Sequence, residues 1–255
     1  MPHFKLTLAY DGAPFVGWQR QAEGVSVQGL VEDALAELEG SAVSLAGAGR
    51  TDAGVHALGQ VASVFLTRSI DAATLVRAAN AHLPATIRIL AADEVSPAFH
   101  ARFRATAKTY RYRIWNADVL NPFERGHVWH IPAPPLDCEA MAASAMLLEG
   151  FHDFAAFQAA SAMSRTTWRT IFSSRVVAAE PGDRVPLVVY EIRGEGFLRH
   201  MVRSIVGTLV DIGKGRHPAS WMREVLVSKS RATAGRTAPP EGLFLVGVEY
   251  DGPDL

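Results

Sequence analysis

Nine residues concentrate the chemistry of this chain: Gly49-Arg50-Thr51-Asp52-Ala53-Gly54-Val55-His56-Ala57. A carboxylate stands between two glycines and just beyond an arginine, a pattern that gives up conformational freedom to hold one anion in a fixed place. Gly47, Gly49 and Gly54 permit tight turns and let a ligand approach the backbone. An aspartate held in this way can serve as a nucleophile or as a proton acceptor, and residue types alone leave both open. The plainer reading is an ordinary hairpin turn, with Asp52 bonding its own backbone and Arg50 solvated. Three other motifs fail on spacing. A dinucleotide fingerprint needs a third glycine where Asp52 stands, and a P-loop needs a Lys-Ser or Lys-Thr that is missing. An aspartic-protease loop needs a partner carboxylate, and Asp11-Gly12 lies in a different context.

The flanks say what positions this loop. Residues 42–46 and 60–66 alternate apolar and polar, so both are expected to be strands, with Asp52 near the tip of their connection. Upstream, 4–10 alternates with period two and stops at Asp11-Gly12. Phe15, Trp18, Gln19, Arg20 and Gln21 follow in a loop that can touch bases or plug a small core. A helix is predicted over 27–38, with Ser26 as its N-cap and Gly40 just past its end. Asp71 caps a second helix that Pro84 ends, and 86–95 is again strand-like. Strand, helix, strand, strand, helix, strand is the order of a ferredoxin-like βαββαβ unit.

A second half is expected to repeat that order with insertions. It comprises a strand over 108–115, a helix over 137–148, two strands over 168–179 and 185–195 joined by a turn at 180–183, a long helix from Leu198 to near Gly213, a short helix over 219–227 and a last strand over 243–250. The long helix carries Arg199 and Arg203 away from its apolar stripe. The predicted architecture is α+β, with two ferredoxin-like halves (1–105 and 106–255) whose antiparallel sheets adjoin around a central active-site cleft.

The chain has 255 residues, 49% hydrophobic, enough for one sizeable core or two small ones. Net charge is −1 and pI about 6.8, so basicity toward a nucleic acid must be local. It is local between His100 and Arg113, where Arg102, Arg104, Lys108, Arg111 and Arg113 occur without an acid. The single cysteine, Cys138, excludes an internal disulfide and points to a reducing compartment. No signal peptide and no membrane-length apolar run is apparent, so a cytoplasmic location without a membrane partner is expected. His127 and His130 point to opposite faces of an extended segment, and no set of ligands completes a metal site.

The nine-residue loop resembles the active-site segment of tRNA pseudouridine synthases of the TruA family. The resemblance runs over nearly the whole chain. It is carried by Tyr10-Asp11-Gly12, Phe15, Gly17-Trp18-Gln19 and Gln21, by Asn80 and Leu83-Pro84, and by Phe99-His100-Ala101-Arg102. Further on it is carried by Lys108 with Tyr110-Arg111-Tyr112, His152-Asp153-Phe154, Gly196-Phe197-Leu198, His200-Met201-Val202-Arg203, Thr237-Ala238-Pro239 and Gly242-Leu243. It departs at Ala13, Arg199 and Pro240.

The resemblance implies an isomerase that detaches uracil from its ribose, turns the base and rejoins it through carbon. No cofactor is needed, since nothing is oxidised and no group is donated. Asp52 takes the catalytic role, and Arg203 matches the cation that keeps it ionised away from water. Such a pair at roughly 4 Å attracts by about 4 kcal/mol in a medium of effective dielectric near 20. Tyr110 matches the active-site tyrosine that stacks on the flipped uracil, Leu243 an apolar wall, and Arg50 the residue that fills the space the base leaves. Arg102, Arg104, Lys108, Arg111 and Arg113 are expected to hold phosphates. The partner implied is the anticodon arm of tRNA (positions 38, 39 and 40), bound by a homodimer. Two other classes fit parts of the pattern: an RNA or nucleoside glycosidase, and a non-catalytic RNA-binding module.

Overall fold

The computed structural model describes residues 1–160, 164–178 and 186–252. In chain order the elements are β1 (His3–Tyr10), α1 (Val27–Glu39), β2 (Ala46–Gly47), β3 (His56–Phe65), α2 (Ala72–His82), β4 (Ile87–Glu94), β5 (Ala105–Trp115), β6 (Trp129–His130), α3 (Cys138–Met146), β7 (Gly150–Asp153), β8 (Trp168–Ala178), β9 (Leu187–Gly194), α4 (Met201–Gly213), α5 (Trp221–Ser228) and β10 (Leu243–Tyr250). Two compact units contain them: Met1–Lys108 with Phe244–Leu255, and Thr109–Leu243. The first boundary falls a few residues beyond the expected 105, and the final strand belongs with the first unit. No helix among the described residues is long and apolar enough to cross a membrane.

In the first unit β1 lies between β4 and β3, antiparallel to both, and β2 pairs antiparallel with β3. That is the sheet order of a ferredoxin-like unit, as the element order predicts. One face is apolar because alternate strand residues point to it: Phe4, Leu6 and Leu8 of β1 and Ile87 and Ile89 of β4 are at most 1% exposed. Helices α1 and α2 supply Val31, Leu35, Leu75 and Ala79 to the core. Both caps form as expected. Ser26 accepts from the Gly29 N–H, Asp71 accepts from the Thr74 N–H, and Gly40 ends α1 in the left-handed conformation.

Strand β2 is only two residues long, against the five expected, because α1 satisfies the backbone before it. Glu32 accepts from the Leu45 N–H and Gln28 donates to the Leu45 carbonyl, so Leu45 has no need of a ladder. Strand β3 begins at His56 rather than near residue 60, and β10 runs parallel to this end, with Phe244 opposite His56 and Leu245 opposite Ala57.

In the second unit β8 pairs antiparallel with β9 and with β7, and the short β6 runs parallel to β5. Strands β6 and β7 are additions to the predicted order. Tyr112 and Ile114 of β5 are fully buried while Arg111 and Arg113 are half-exposed, the alternation expected of the 108–115 segment. The predicted turn at 180–183 lies outside the described residues. Helix α4 starts at Met201 instead of Leu198, because His200 adopts a left-handed φ of 62° that an α-helix cannot contain. Arg199 therefore lies in the turn before the helix, and Arg203 lies on the helix.

Candidate active site

The loop from Ala48 to Val55 is held at Ala48, Gly49, Thr51 and Gly54 by groups outside it. The Ala48 N–H donates to Val61 O (2.7 Å), and the Ala48 carbonyl accepts from Lys108 Nζ (2.8 Å). Gln60, fully buried in β3, donates through Nε2 to Gly49 O (3.0 Å) and to the Tyr10 hydroxyl (3.4 Å). The Tyr10 hydroxyl and Thr51 Oγ1 share a further hydrogen bond at 2.8 Å. The Thr51 carbonyl accepts from the Trp18 N–H (3.1 Å), Val55 N–H closes onto Asp52 O (3.1 Å), and the next glycine, Gly54, donates to Phe15 O (3.4 Å). Asp52 is thus carried on a backbone with little freedom, its side chain half-buried, while Arg50 is exposed.

Part of this hold depends on the 11–18 segment running against the loop. Gly17 makes the approach possible: its φ is +112°, and a Cβ there would stand 2.7 Å from Thr51 O and 3.2 Å from Ala53 N. Beneath the loop, His56 Nδ1 lies 3.0 Å from the Gly12 N–H, which donates to it, and the His56 ring stacks on Phe244 at 4.7 Å. Burial pushes the Tyr10 hydroxyl up to about 12, against the lowering effect of its bonds to Thr51 and Gln60, so it stays neutral and acts as a strut. Burial, and then the nearby charge of Arg102, lowers Lys108 to about 8.

In the second unit, Tyr110 is buried in β5 and meets Phe197 edge to face, ring centroids 5.0 Å apart. Arg203, half-buried on α4, donates from Nε to Ala238 O (2.7 Å), and the Ala238 N–H returns a bond to Arg203 O (3.0 Å). The same segment ties to β5, since Tyr112 donates its hydroxyl to Pro239 O at 2.8 Å. Burial raises Tyr112, which keeps that donor protonated. Arg231 donates to Gly235 O (2.9 Å) and to Thr237 Oγ1 (2.8 Å), and the Gly235 N–H donates to Thr208 Oγ1 (3.0 Å). The segment from Arg231 to Leu243 is therefore laced onto α4 and β5, and it delivers Leu243, 5% exposed, to the start of β10.

A family description, tRNA pseudouridine synthase, matches residues 7–104 and 144–251. The tRNA pseudouridine synthase A of Myxococcus xanthus is 47% identical over 254 residues, covering 99% of this chain and 94% of that protein. Those of Solibacter usitatus and Syntrophotalea carbinolica are 46% and 44% identical, covering 98% and 96% of this chain and 100% and 95% of theirs. The chain belongs to the tRNA pseudouridine synthase family.

Within this tRNA pseudouridine synthase framework the expected site residues divide between the units. Arg50 and Asp52 stand in the first, and Tyr110, Arg203 and Leu243 in the second. The basic run divides too. Arg102 and Arg104 are exposed, whereas Arg111 pairs with Glu191 (2.9 Å) and Arg113 with Glu124 (2.8 Å). The run has no acid in its own sequence, but neighbouring segments bring two. Lys108 directs its ammonium to the Ala48 carbonyl, beside Gly49, and so braces the Asp52 loop.

Sequence reasoning missed Tyr10, Gln60 and Thr51 as supports of Asp52, and Arg231 as the tie of the last loop. Tyr10 lies in the Tyr10-Asp11-Gly12 stretch, and its place at the end of β1 is the available signal. Gln60 offered another: a polar residue in an otherwise apolar strand.

Proposed function

We propose that this chain isomerises uridine to pseudouridine in the anticodon arm of tRNA, at positions 38, 39 and 40, with Asp52 as the reacting carboxylate. The observation that carries this reading is the Asp52 loop itself. An acidic side chain is mounted on a backbone fixed by Gln60, Tyr10, Trp18 and Lys108, in a chain of this family. Rigid placement of one reacting group is what a step requiring alignment of sugar and base demands. The reaction is redox-neutral and conserves every atom of the substrate, so no donor or acceptor cofactor enters its balance.

In this reading Arg203 supplies the counter-charge to Asp52, Tyr110 stacks on the extruded uracil, Leu243 provides an apolar wall and Arg50 fills the space the base leaves. Arg102 and Arg104 hold phosphates, with lesser shares from Arg111 and Arg113, which each have a carboxylate partner. The working form is a homodimer in the cytoplasm.

The test is to incubate anticodon-arm RNA with the protein and map pseudouridine by position. Conversion at one or more of the three positions, with RNA mass unchanged and no free uracil, is expected. Asp52→Asn should abolish conversion by at least about a thousandfold while leaving RNA affinity within about threefold. Release of uracil would make the chain a glycosidase, and full activity of Asp52→Asn would remove that residue from the chemistry.

A further inference from the structure

Between β4 and β5 the chain makes a turn whose base is fixed and whose tip is open. At the base, Val95, Phe99 and Ala101 share a buried cluster with Ala48 and Val61, and Tyr250 packs against it. The Ala101 N–H donates to Ser63 Oγ (3.2 Å), and Tyr250 donates its hydroxyl to Ala101 O (2.7 Å). His100 shapes the tip. Its Nδ1 accepts from the Arg102 N–H (3.1 Å), and its carbonyl accepts from the Arg104 N–H (3.0 Å). These bonds present Phe103 to solvent. Its ring leans on His100 with centroids 4.3 Å apart, yet it remains 76% exposed. The Arg102 guanidinium stands 5.7 Å from the ring centroid, and Arg104 follows on the other side in sequence. Neither arginine has an acidic partner among the described residues.

What sets Phe103 apart from an ordinary exposed side chain is the braced turn that holds it and the two exposed arginines beside it in sequence. Apolar protein partners are met by patches of several hydrophobic side chains. Here one ring is flanked in sequence by two exposed arginines, one of them 5.7 Å from its centroid, on a turn whose other exposed apolar residues are Pro97 and Ala98. A flat apolar ring beside exposed positive charge is complementary to an unstacked base and its neighbouring phosphates.

We propose that Phe103 is a stacking platform for an unpaired nucleobase of the RNA, with Arg102 and Arg104 holding the phosphates that flank it. The proposal rests on the RNA reading given above and adds a subsite to it. Because the turn shares its buried base with Ala48, a nucleotide docked on Phe103 is referenced to the same core that supports the Asp52 loop. The site would therefore set the register of the RNA relative to Asp52 and would favour substrates with a single-stranded base at that distance.

The test uses the full-length protein and fluorescently labelled anticodon-arm RNA, with affinity measured for wild type, Phe103→Ala, Phe103→Leu and Phe103→Trp. Alanine and leucine should each weaken binding by roughly 5- to 150-fold, and tryptophan should restore it to within about threefold. An abasic nucleotide walked through the loop of the RNA should weaken wild-type binding at one position and have no further effect there on Phe103→Ala. Leucine binding as well as tryptophan would overturn stacking in favour of plain apolar contact. Alanine binding like wild type, while wild type still converts uridine, would overturn the subsite and leave the proposed function standing. Wild type that neither binds nor converts the RNA would overturn both. Melting temperatures of all three variants equal to wild type within a few degrees identify the losses as contact losses.

Discussion

A lysine and a tyrosine show how the Asp52 loop is held, and they respond oppositely to pH. Lys108 is worth most to the loop through its 2.8 Å bond to Ala48 O, but burial makes its charge costly and lowers its pKa from 10.5 to about 8. Between those values the unfolded chain binds a proton at this residue that the folded chain does not, so its contribution to stability rises with pH across the window. Tyr10 acts in the other sense. Its pKa is raised from 10.0 to about 12, so the folded chain keeps a proton that the unfolded chain loses, and stability falls as pH rises above 10. Subtracting a Lys108→Met variant removes the shared tyrosine effect. Denaturation in urea at about pH 7.5 and about pH 10 should show wild type gaining on Lys108→Met at the higher pH. A difference that does not change with pH would mean that the ammonium is solvated. Conversion of uridine should fall in the variant at every pH, since the Ala48 carbonyl loses its support.

At the scale of elements, the tightest fit is between α4 and the segment that carries Arg236 and Ala238. A Cβ at Gly207 would run into the Arg236 carbonyl, and one at Gly235 would come within 2.8 Å of the Gly207 backbone. Gly207→Ala should therefore cost about 1–3 kcal/mol in stability, measured by denaturant unfolding, although alanine is the better helix former. It should also lower activity, because the Arg203 bond to Ala238 O depends on that approach. The helices and most strands were legible because their signals are local. Ser26 and Asp71 stand next to the apolar stripes they cap, and Tyr112 and Ile114 alternate with arginines within one strand. The shortness of β2 was not legible, because it depends on Glu32 and Gln28 side chains from another element satisfying Leu45. The late start of α4 turns on one backbone angle at His200, which its residue type does not announce. The loop that carries Asp52 was legible from its glycines. Its supports were not, because Tyr10 lies 41 positions from Thr51 and Lys108 60 positions from Ala48.

For the whole molecule, a net charge of −1 means that no overall field draws in a polyanion, so affinity for RNA must come from a few local contacts. Each phosphate contact contributes roughly 0.7 to 0.9 to the slope of log affinity against log salt. Replacing Arg102 or Arg104 with glutamine should reduce that slope by about this amount each, measured over about 50 to 200 mM salt. Arg111→Gln and Arg113→Gln should reduce it less, since each arginine must first leave a carboxylate. A slope unaffected by the first pair would place the phosphate contacts elsewhere.

The parallel strand beside His56 bears on how the protein is made. Residues 1–108 leave the ribosome long before the strand that completes their sheet, which begins at Leu243. Until translation reaches it, the early unit lacks the Phe244 ring that stacks on His56, at the very end of the loop bearing Asp52. A nascent chain arrested before Phe244 should therefore leave the loop bearing Asp52 without the ring that stacks on its closing histidine, and protection of that loop from proteolysis should rise once β10 is made.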